Sequence, residues 1–112
     1  MPLCKKARIE VYLPDAVHPA YAELLAALEQ EFTYAFGGCT LVRGLEGSYL
    51  SRFGLVMRDR VNLLYADTPF AFEAKFDTLS AYADELRDAA LRALKEEAVL
   101  VALFPIYHAD NA

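Results

Sequence analysis

Charged and aromatic side chains crowd into a glycine-rich stretch near the middle of this chain. All five glycines of the 112-residue protein lie between Gly37 and Gly54. Glycines this concentrated mark places where the backbone turns sharply or where another group approaches it closely. An arginine and a tyrosine together at the rim of a sheet can bind a carboxylate or an aromatic ligand. The candidate ligand-binding residues are Arg43, Glu46, Tyr49, Arg52, Arg58 and Asp59.

The same residues leave open whether a reaction is catalysed. Glu46 or Asp59 could act as a general base beside Tyr49 if the carboxyl group were buried. The simpler interpretation is that Glu46 is solvated and that Arg58-Asp59-Arg60 forms a tight turn. A cysteine nucleophile is disfavoured, because Cys39 follows the C-terminal end of a predicted helix, whose partial negative charge opposes a thiolate.

Sulfur and imidazole ligands for a metal are few. The candidates are Cys4, His18, Cys39 and His108, and none of them pairs at a spacing typical of a zinc site. Only tertiary folding could bring two of them together. The glycines follow a helix, whereas those of phosphate-binding loops precede one. We therefore predict no metal and no cofactor.

The composition disfavours nucleic acids and membranes as partners. A formal charge of −5 disfavours binding to the phosphate backbone of nucleic acids. The apolar runs fall well short of the ~20 residues of a membrane-spanning helix, and the N-terminus lacks the apolar segment of a signal peptide. Two cysteines are too few for a disulfide scaffold. We expect one cytoplasmic domain over residues 1–112, with no nucleic-acid or membrane partner.

The elements that position the candidate site follow from periodicity. Alternating apolar residues predict a first strand at residues 7–13, and helical spacing predicts a helix over Pro19–Phe36 that stops at Gly37. The next predicted strand is at residues 40–44, resumes at 48–50 and is bulged or bent by its glycines. The later predicted elements are an extended piece at residues 55–57, a strand at 61–66 ended by Asp67-Thr68-Pro69, a second helix, and an apolar strand at 98–107. The second helix begins either at Pro69, capped by Thr68, or near Asp77.

This order of elements predicts an α+β, ferredoxin-like fold, a β-α-β-β-α-β chain with one antiparallel sheet and two helices on one face. In its usual strand order the first and third strands are central and the last lies at an edge. The last strand is apolar on both faces, and such an edge favours aggregation unless something covers it. Pro105 is tolerated at an edge. A second copy is the simplest cover, so we predict a homodimer.

Several short motifs are spread along the chain: the joint Gly37-Gly38-Cys39-Thr40, the glycine-broken segment with Tyr49, and the opening Glu97-Ala98-Val99-Leu100 of the last strand. Together they resemble a pattern in small uncharacterised bacterial proteins of ferredoxin-like type, whose first helix ends in Gly-Gly-x-Thr. The resemblance implies the fold and brings no activity. Tyr49 stands where such patterns often have Trp, so a stacking role would use a smaller ring.

The sequence is compatible with three functions. The first is a non-enzymatic oligomeric module that binds a small ligand or a protein partner near the glycine-broken hairpin, using Arg43, Tyr49 and Arg58. The second is a small cofactor-free enzyme of oxygenase or isomerase type, suggested by analogy of fold alone. The third is a structural protein that docks a partner through its last strand.

Overall fold

The structure, a computed structural model, describes residues 3–15, 17–94 and 99–109. Its elements are β1 (Leu3–Pro14), α1 (Pro19–Phe36), β2 (Thr40–Leu50), β3 (Val56–Ala71), α2 (Phe76–Leu94) and β4 (Leu100–Ala109). The strands form one antiparallel sheet in the order β2-β3-β1-β4. The ferredoxin-like α+β fold is therefore confirmed, with β1 and β3 central and β4 at an edge.

The hydrophobic core lies between the two helices and one face of the sheet. Alternate residues of β1 are buried, and they meet buried residues of β3 and of both helices. The principal contributors are Ile9, Val11, Leu28, Phe32, Leu64, Leu79 and Leu86. Helix α1 has the predicted bounds, because His18 Nδ1 accepts the Ala20 N–H at 3.1 Å and Gly37 closes the last turn at φ 88°.

The reversal between β2 and β3 lies earlier than the sequence analysis placed it. The predicted turn Arg58-Asp59-Arg60 is wrong, since all three residues belong to β3 and Asp59 pairs with Gly47. The chain instead reverses between Ser51 and Leu55, where Gly54 adopts φ 79° and the Ser51 hydroxyl accepts the Leu55 N–H at 3.2 Å. Both faces of this hairpin are exposed, so charged residues are tolerated in its strands.

The predicted end of the third strand at Asp67-Thr68-Pro69 is also wrong. Strand β3 continues to Ala71 through a register shift opposite Ala7. The buried Thr68 hydroxyl donates to the Ala7 carbonyl at 2.9 Å, and a bulge tolerates the missing N–H of Pro69. Helix α2 consequently begins at Phe76, near the later of the two predicted starts, and not at Pro69.

The last strand, predicted at residues 98–107, spans Leu100–Ala109 and so ends two residues later than predicted. Glu97 and Ala98 of the proposed opening motif lie outside the described residues. Of the residues described, no helix is long and apolar enough to cross a bilayer.

One part of the sheet extends beyond the helices. The principal extents are 48 × 29 × 25 Å, and the radius of gyration of 15.3 Å exceeds the roughly 13 Å expected for a compact chain of this length. The extension is the β2–β3 hairpin from residue 45 to residue 61, here called the arm. It carries six exposed large apolar side chains, namely Tyr49, Leu50, Phe53, Leu55, Val56 and Met57.

Candidate functional site

A bulge in β2 sets the direction in which the arm leaves the sheet. The register shifts between Val42 and Leu45, and Gly44 in between adopts φ 70°. The predicted bulge is thus present at Gly44. Gly47 keeps a φ that any residue can adopt and pairs regularly with Asp59. An inserted residue bends a strand and increases its twist, so the bulge aims the arm.

Hydrogen bonds tie this bulge to the end of β1. The Gly44 N–H donates to Asn62 Oδ1 at 3.0 Å, and Asn62 Nδ2 donates to Asp15 Oδ1 at 3.4 Å. Arg60 Nε lies 3.9 Å from the other carboxylate oxygen of Asp15. Asn62 is buried, so these bonds offset the cost of removing its amide from water. The base of the arm is therefore anchored to the central strand.

Next to this anchor lies a polar concavity of about 580 Å³. It is lined by Asp15, Glu46, Gly47, Ser48, Arg58, Asp59 and Arg60. The cross-strand partners Glu46 and Arg60, and Ser48 and Arg58, project to the same side of the hairpin. No ion pair joins Arg58 to a carboxylate among the described residues, which leaves its guanidinium available for a ligand.

The structure brings together three of the six predicted site residues and separates the others. Glu46, Arg58 and Asp59 line the polar concavity. Arg43 lies beside α1, where it borders a different groove with Ala22 and Leu25. Tyr49 sits further out on the arm opposite Met57, and it is more than half exposed.

Arg52 also stands apart, in the turn at the tip of the arm, with its guanidinium carbon 5.3 Å from the centre of the Phe53 ring. Asp15, Arg60 and Asn62 also belong to the site but were not among the predicted site residues. No local signal marks them, because Asp15 and Asn62 meet only through the pairing of β1 with β3.

The open face of the sheet, opposite the helices, carries charges that are already paired. The Arg8 guanidinium donates two hydrogen bonds to the carboxylate of Asp67 and lies 4.5 Å from the ring centre of Tyr65. The hydrogen bond to Asp67 raises the pKa of the Arg8 guanidinium above its ordinary value. Glu10 accepts the Tyr12 hydroxyl at 3.0 Å. Apolar residues of β2 and β4, such as Val42 and Ala102, flank these pairs.

Cys39 takes no part in these arrangements. Its sulfur lies 3.7 Å from the Glu29 carbonyl and 3.8 Å from the Thr33 hydroxyl, packed against the core. This is the environment of a small apolar residue, as the sequence predicts. Within the described ranges, no three His, Cys, Asp or Glu side chains are clustered so that they could hold a metal ion.

Comparison with known proteins gives the fold alone. No protein-family profile matches the chain, and no curated protein sequence does. Among solved structures, the divalent cation tolerance protein CutA1 of Thermus thermophilus matches with a TM-score of 0.58 and 16% identity, over 95% of this chain and 87% of that one.

Two further structures illustrate how widely the fold is used. CPII of Thiomonas intermedia K12, a nitrogen regulatory PII-like protein bound to ADP, AMP and bicarbonate, matches with a TM-score of 0.50 and 17% identity, over 97% of this chain and 100% of that one. A phage SAM lyase in complex with S-methyl-5′-thioadenosine matches with a TM-score of 0.53 and 13% identity, over 92% and 90%. The chain is a small ferredoxin-like protein; the Gly-Gly-x-Thr joint as a family mark is not confirmed.

Proposed function

We propose that this protein is a small homo-oligomeric binding module, a homodimer in its smallest form, whose ligand site is the polar concavity at the base of the arm. The observation that carries the proposal is the arm itself. Large apolar side chains of this hairpin, such as Leu50 and Val56, stay exposed and are not covered by any other described part of the chain. Exposed apolar patches of this kind mark interaction surfaces.

The open face of the sheet supports self-association. Its charged groups already have partners within the chain, as Arg8 has in Asp67 and Glu10 has in Tyr12. A second copy can cover such a face without leaving a buried charge unpaired, which is the costly outcome when charges enter an interface. The arm of one copy and the open face of another therefore offer compatible surfaces.

Sedimentation velocity at micromolar concentration tests the assembly. We expect wild-type protein to sediment as a dimer or a larger closed oligomer, and the double variant Leu50→Ser, Val56→Ser to shift toward monomer. Tyr34→Ser is the matched control, because Tyr34 is exposed on α1 and does not belong to the arm. A wild-type monomer would refute the proposal, as would equal effects of the control and the arm variants.

The polar concavity supports binding of a small polar ligand. Its volume falls in the range of ligand sites, roughly 300–1,000 Å³. Arg58 offers a planar donor pair suited to a carboxylate or phosphate, and Glu46, which projects to the same side of the hairpin, offers acceptors for hydroxyl or amino groups. Two of the similar structures hold adenosine-type ligands, so we propose AMP, ADP and S-methyl-5′-thioadenosine as the first compounds to test.

Ligand-detected NMR with these three compounds tests the site. We expect at least one to bind the wild-type protein, and Arg58→Ala to abolish its binding. Arg52→Ala provides the control, because Arg52 lies at the tip of the arm and does not line the concavity. If Arg52→Ala weakens binding as much as Arg58→Ala does, the ligand lies elsewhere.

The enzyme and partner-protein alternatives have less support. A Tyr–carboxylate site would need Tyr49 beside Glu46 or Asp59 in a buried pocket. Glu46 projects to the other side of the hairpin, and Tyr49 and Asp59, which share a face, are both exposed. Docking through the last strand remains compatible with the edge position of β4. Pro105 within that strand lacks an N–H, which limits the addition of a further strand there.

A further inference from the structure

Two opposite charges project to the same side of the arm without an ion-pair partner. Glu46 on β2 and Arg58 on β3 are diagonal neighbours, because Glu46 pairs with Arg60 and Arg58 pairs with Ser48. Diagonal neighbours on one face of a hairpin lie about 7–8 Å apart, within reach of long side chains. Neither the carboxylate of Glu46 nor the guanidinium of Arg58 forms an ion pair with any residue that the structure describes.

The cation directly opposite Glu46 is held by other groups. Arg60 Nη2 lies 2.9 Å from the position that a Cβ would take at Gly44, so this guanidinium is folded back over the bulge. Its Nε lies 3.9 Å from a carboxylate oxygen of Asp15, and the Asp15 N–H donates to the Arg60 carbonyl at 2.8 Å. Arg60 is therefore directed toward the end of β1, which leaves the carboxylate of Glu46 without its cross-strand cation.

The residue directly opposite Arg58 carries no charge. It is Ser48, whose hydroxyl can donate or accept a hydrogen bond. Asp59, the next residue after Arg58, belongs to the other face of the hairpin by alternation, and its Oδ1 accepts the Arg60 N–H at 2.8 Å. One side of the arm therefore presents a guanidinium, a carboxylate and, next to both, a hydroxyl group.

A ligand that matches this side of the arm carries both signs of charge. The planar guanidinium of Arg58 suits a carboxylate, which accepts two parallel hydrogen bonds from it. An ammonium group has three donors and suits the carboxylate of Glu46. An inorganic anion would satisfy Arg58 alone and would be repelled by Glu46, whereas a zwitterion adds no net charge to a concavity that already contains both signs.

We propose that the polar concavity binds a zwitterionic amino carboxylate of the α-amino acid type. Arg58 donates to its carboxylate, Glu46 accepts from its ammonium group, and the Ser48 hydroxyl bonds to either group. The concavity of about 580 Å³ leaves room for the side chain of such a ligand beside its two charged groups. This inference rests on the ligand site proposed above and names the class of ligand that the site takes.

Ligand-detected NMR of the full-length protein with pools of the standard α-amino acids tests the inference. We expect at least one to bind the wild type, and Glu46→Gln and Arg58→Gln each to weaken its binding at least about tenfold, the loss expected when a hydrogen bond to a charged group is removed. The N-acetyl derivative of that amino acid, which lacks the ammonium charge, should bind more weakly to the wild type. Glu46→Gln should no longer distinguish the two compounds.

The chain supplies matched controls for both charges. Arg52→Gln and Asp84→Asn should keep wild-type binding, because Arg52 lies at the tip of the arm, Asp84 lies on α2, and neither lines the concavity. Circular dichroism melts establish that every variant is folded. Unchanged binding in Glu46→Gln or in Arg58→Gln, or equal binding of the amino acid and its N-acetyl derivative to the wild type, would overturn the inference.

AMP, ADP and S-methyl-5′-thioadenosine, measured in the same series, separate this inference from the proposed ligand site. If one of them binds the wild type and loses its binding in Arg58→Gln, while no amino acid binds, the ligand site stands and the inference of a zwitterion fails. If no compound of either set binds, both fail.

Discussion

Gly44 is the residue whose backbone most constrains the candidate site. It adopts φ 70°, and a Cβ there would lie 2.9 Å from the Arg60 side chain. We predict that Gly44→Ala lowers the free energy of unfolding by about 1–2 kcal/mol, the cost of left-handed backbone for an L-residue. The flexible Arg60 side chain can shift, so the backbone conformation accounts for most of the loss. Urea denaturation measures it.

Gly47 provides the comparison three residues along the same strand. Its φ is ordinary and an added Cβ would meet open space, so Gly47→Ala should leave stability unchanged or slightly raised. If the two alanine variants were equally stable, the bulge would not depend on the special conformation of Gly44. The comparison therefore separates the requirement for glycine at the bulge from the general effect of adding a methyl group to β2.

Tyr82 links the two helices through a polar contact whose strength depends on pH. Its hydroxyl donates to Glu31 at 2.8 Å, and burial, together with this bond, raises the pKa of the phenol above its ordinary value. The neutral phenol is favoured by folding, so its contribution is complete below about pH 10, the pKa in the unfolded chain, and is lost as pH rises further.

We predict that Tyr82→Phe lowers the free energy of unfolding by about 1 kcal/mol at neutral pH, through loss of this hydrogen bond. The difference between the two proteins should shrink as pH rises above about 10. Denaturation at a series of pH values measures both effects. A difference that stayed constant through that range would show that ionisation of Tyr82 does not contribute to stability.

At the scale of elements, the register between β1 and β3 depends on Thr68. Its buried hydroxyl donates to Ala7 O at 2.9 Å and accepts the Phe70 N–H at 3.3 Å, so it bonds both strands at the bulge. Thr68→Val keeps the shape and removes the donor, so we predict a loss of about 1–3 kcal/mol, the cost of an unsatisfied buried group. Thr40→Val, at an exposed position on β2, is the control. If Thr68→Val and Thr40→Val lowered thermal stability equally in melts, the role of Thr68 in the register would be contradicted.

How well each element could be predicted depends on whether its signals are local. Helix α1 is bounded by His18, Pro19 and Gly37, all of which act within a few residues of the helix ends, and its bounds were predicted correctly. The ends of β3 were not predicted correctly. Its bulge at Thr68 depends on the Ala7 carbonyl of another strand, and the periodicity of a single segment contains no information about that partner.

The candidate site was predictable only in part, because it also depends on contacts between distant segments of the chain. The prediction left a joint site of Glu46 and Tyr49 open, yet the two are three residues apart, and alternation in a strand places such residues on opposite faces. The meeting of Asp15 with Asn62 and Arg60 depends on strand pairing and on the bulge at Gly44. Neither can be inferred from the spacing of charged residues.

At the scale of the whole molecule, the fold does not determine the function. The same ferredoxin-like arrangement appears in a divalent cation tolerance protein, a nitrogen regulatory PII-like protein and a SAM lyase, at identities of 13–17%. Function on a shared fold resides in particular sites. In this protein the candidate sites are the apolar arm and the polar concavity at its base.

Native mass spectrometry of the protein purified from its own source tests this account most directly. We predict a dimer or a larger multiple of the chain mass that also carries a small non-covalent adduct, released when the protein is denatured. The arm would explain the multiple, and the polar concavity would explain the adduct. A bare monomer at micromolar concentration would contradict both, because it would show that the arm stays exposed and that the concavity retains no ligand.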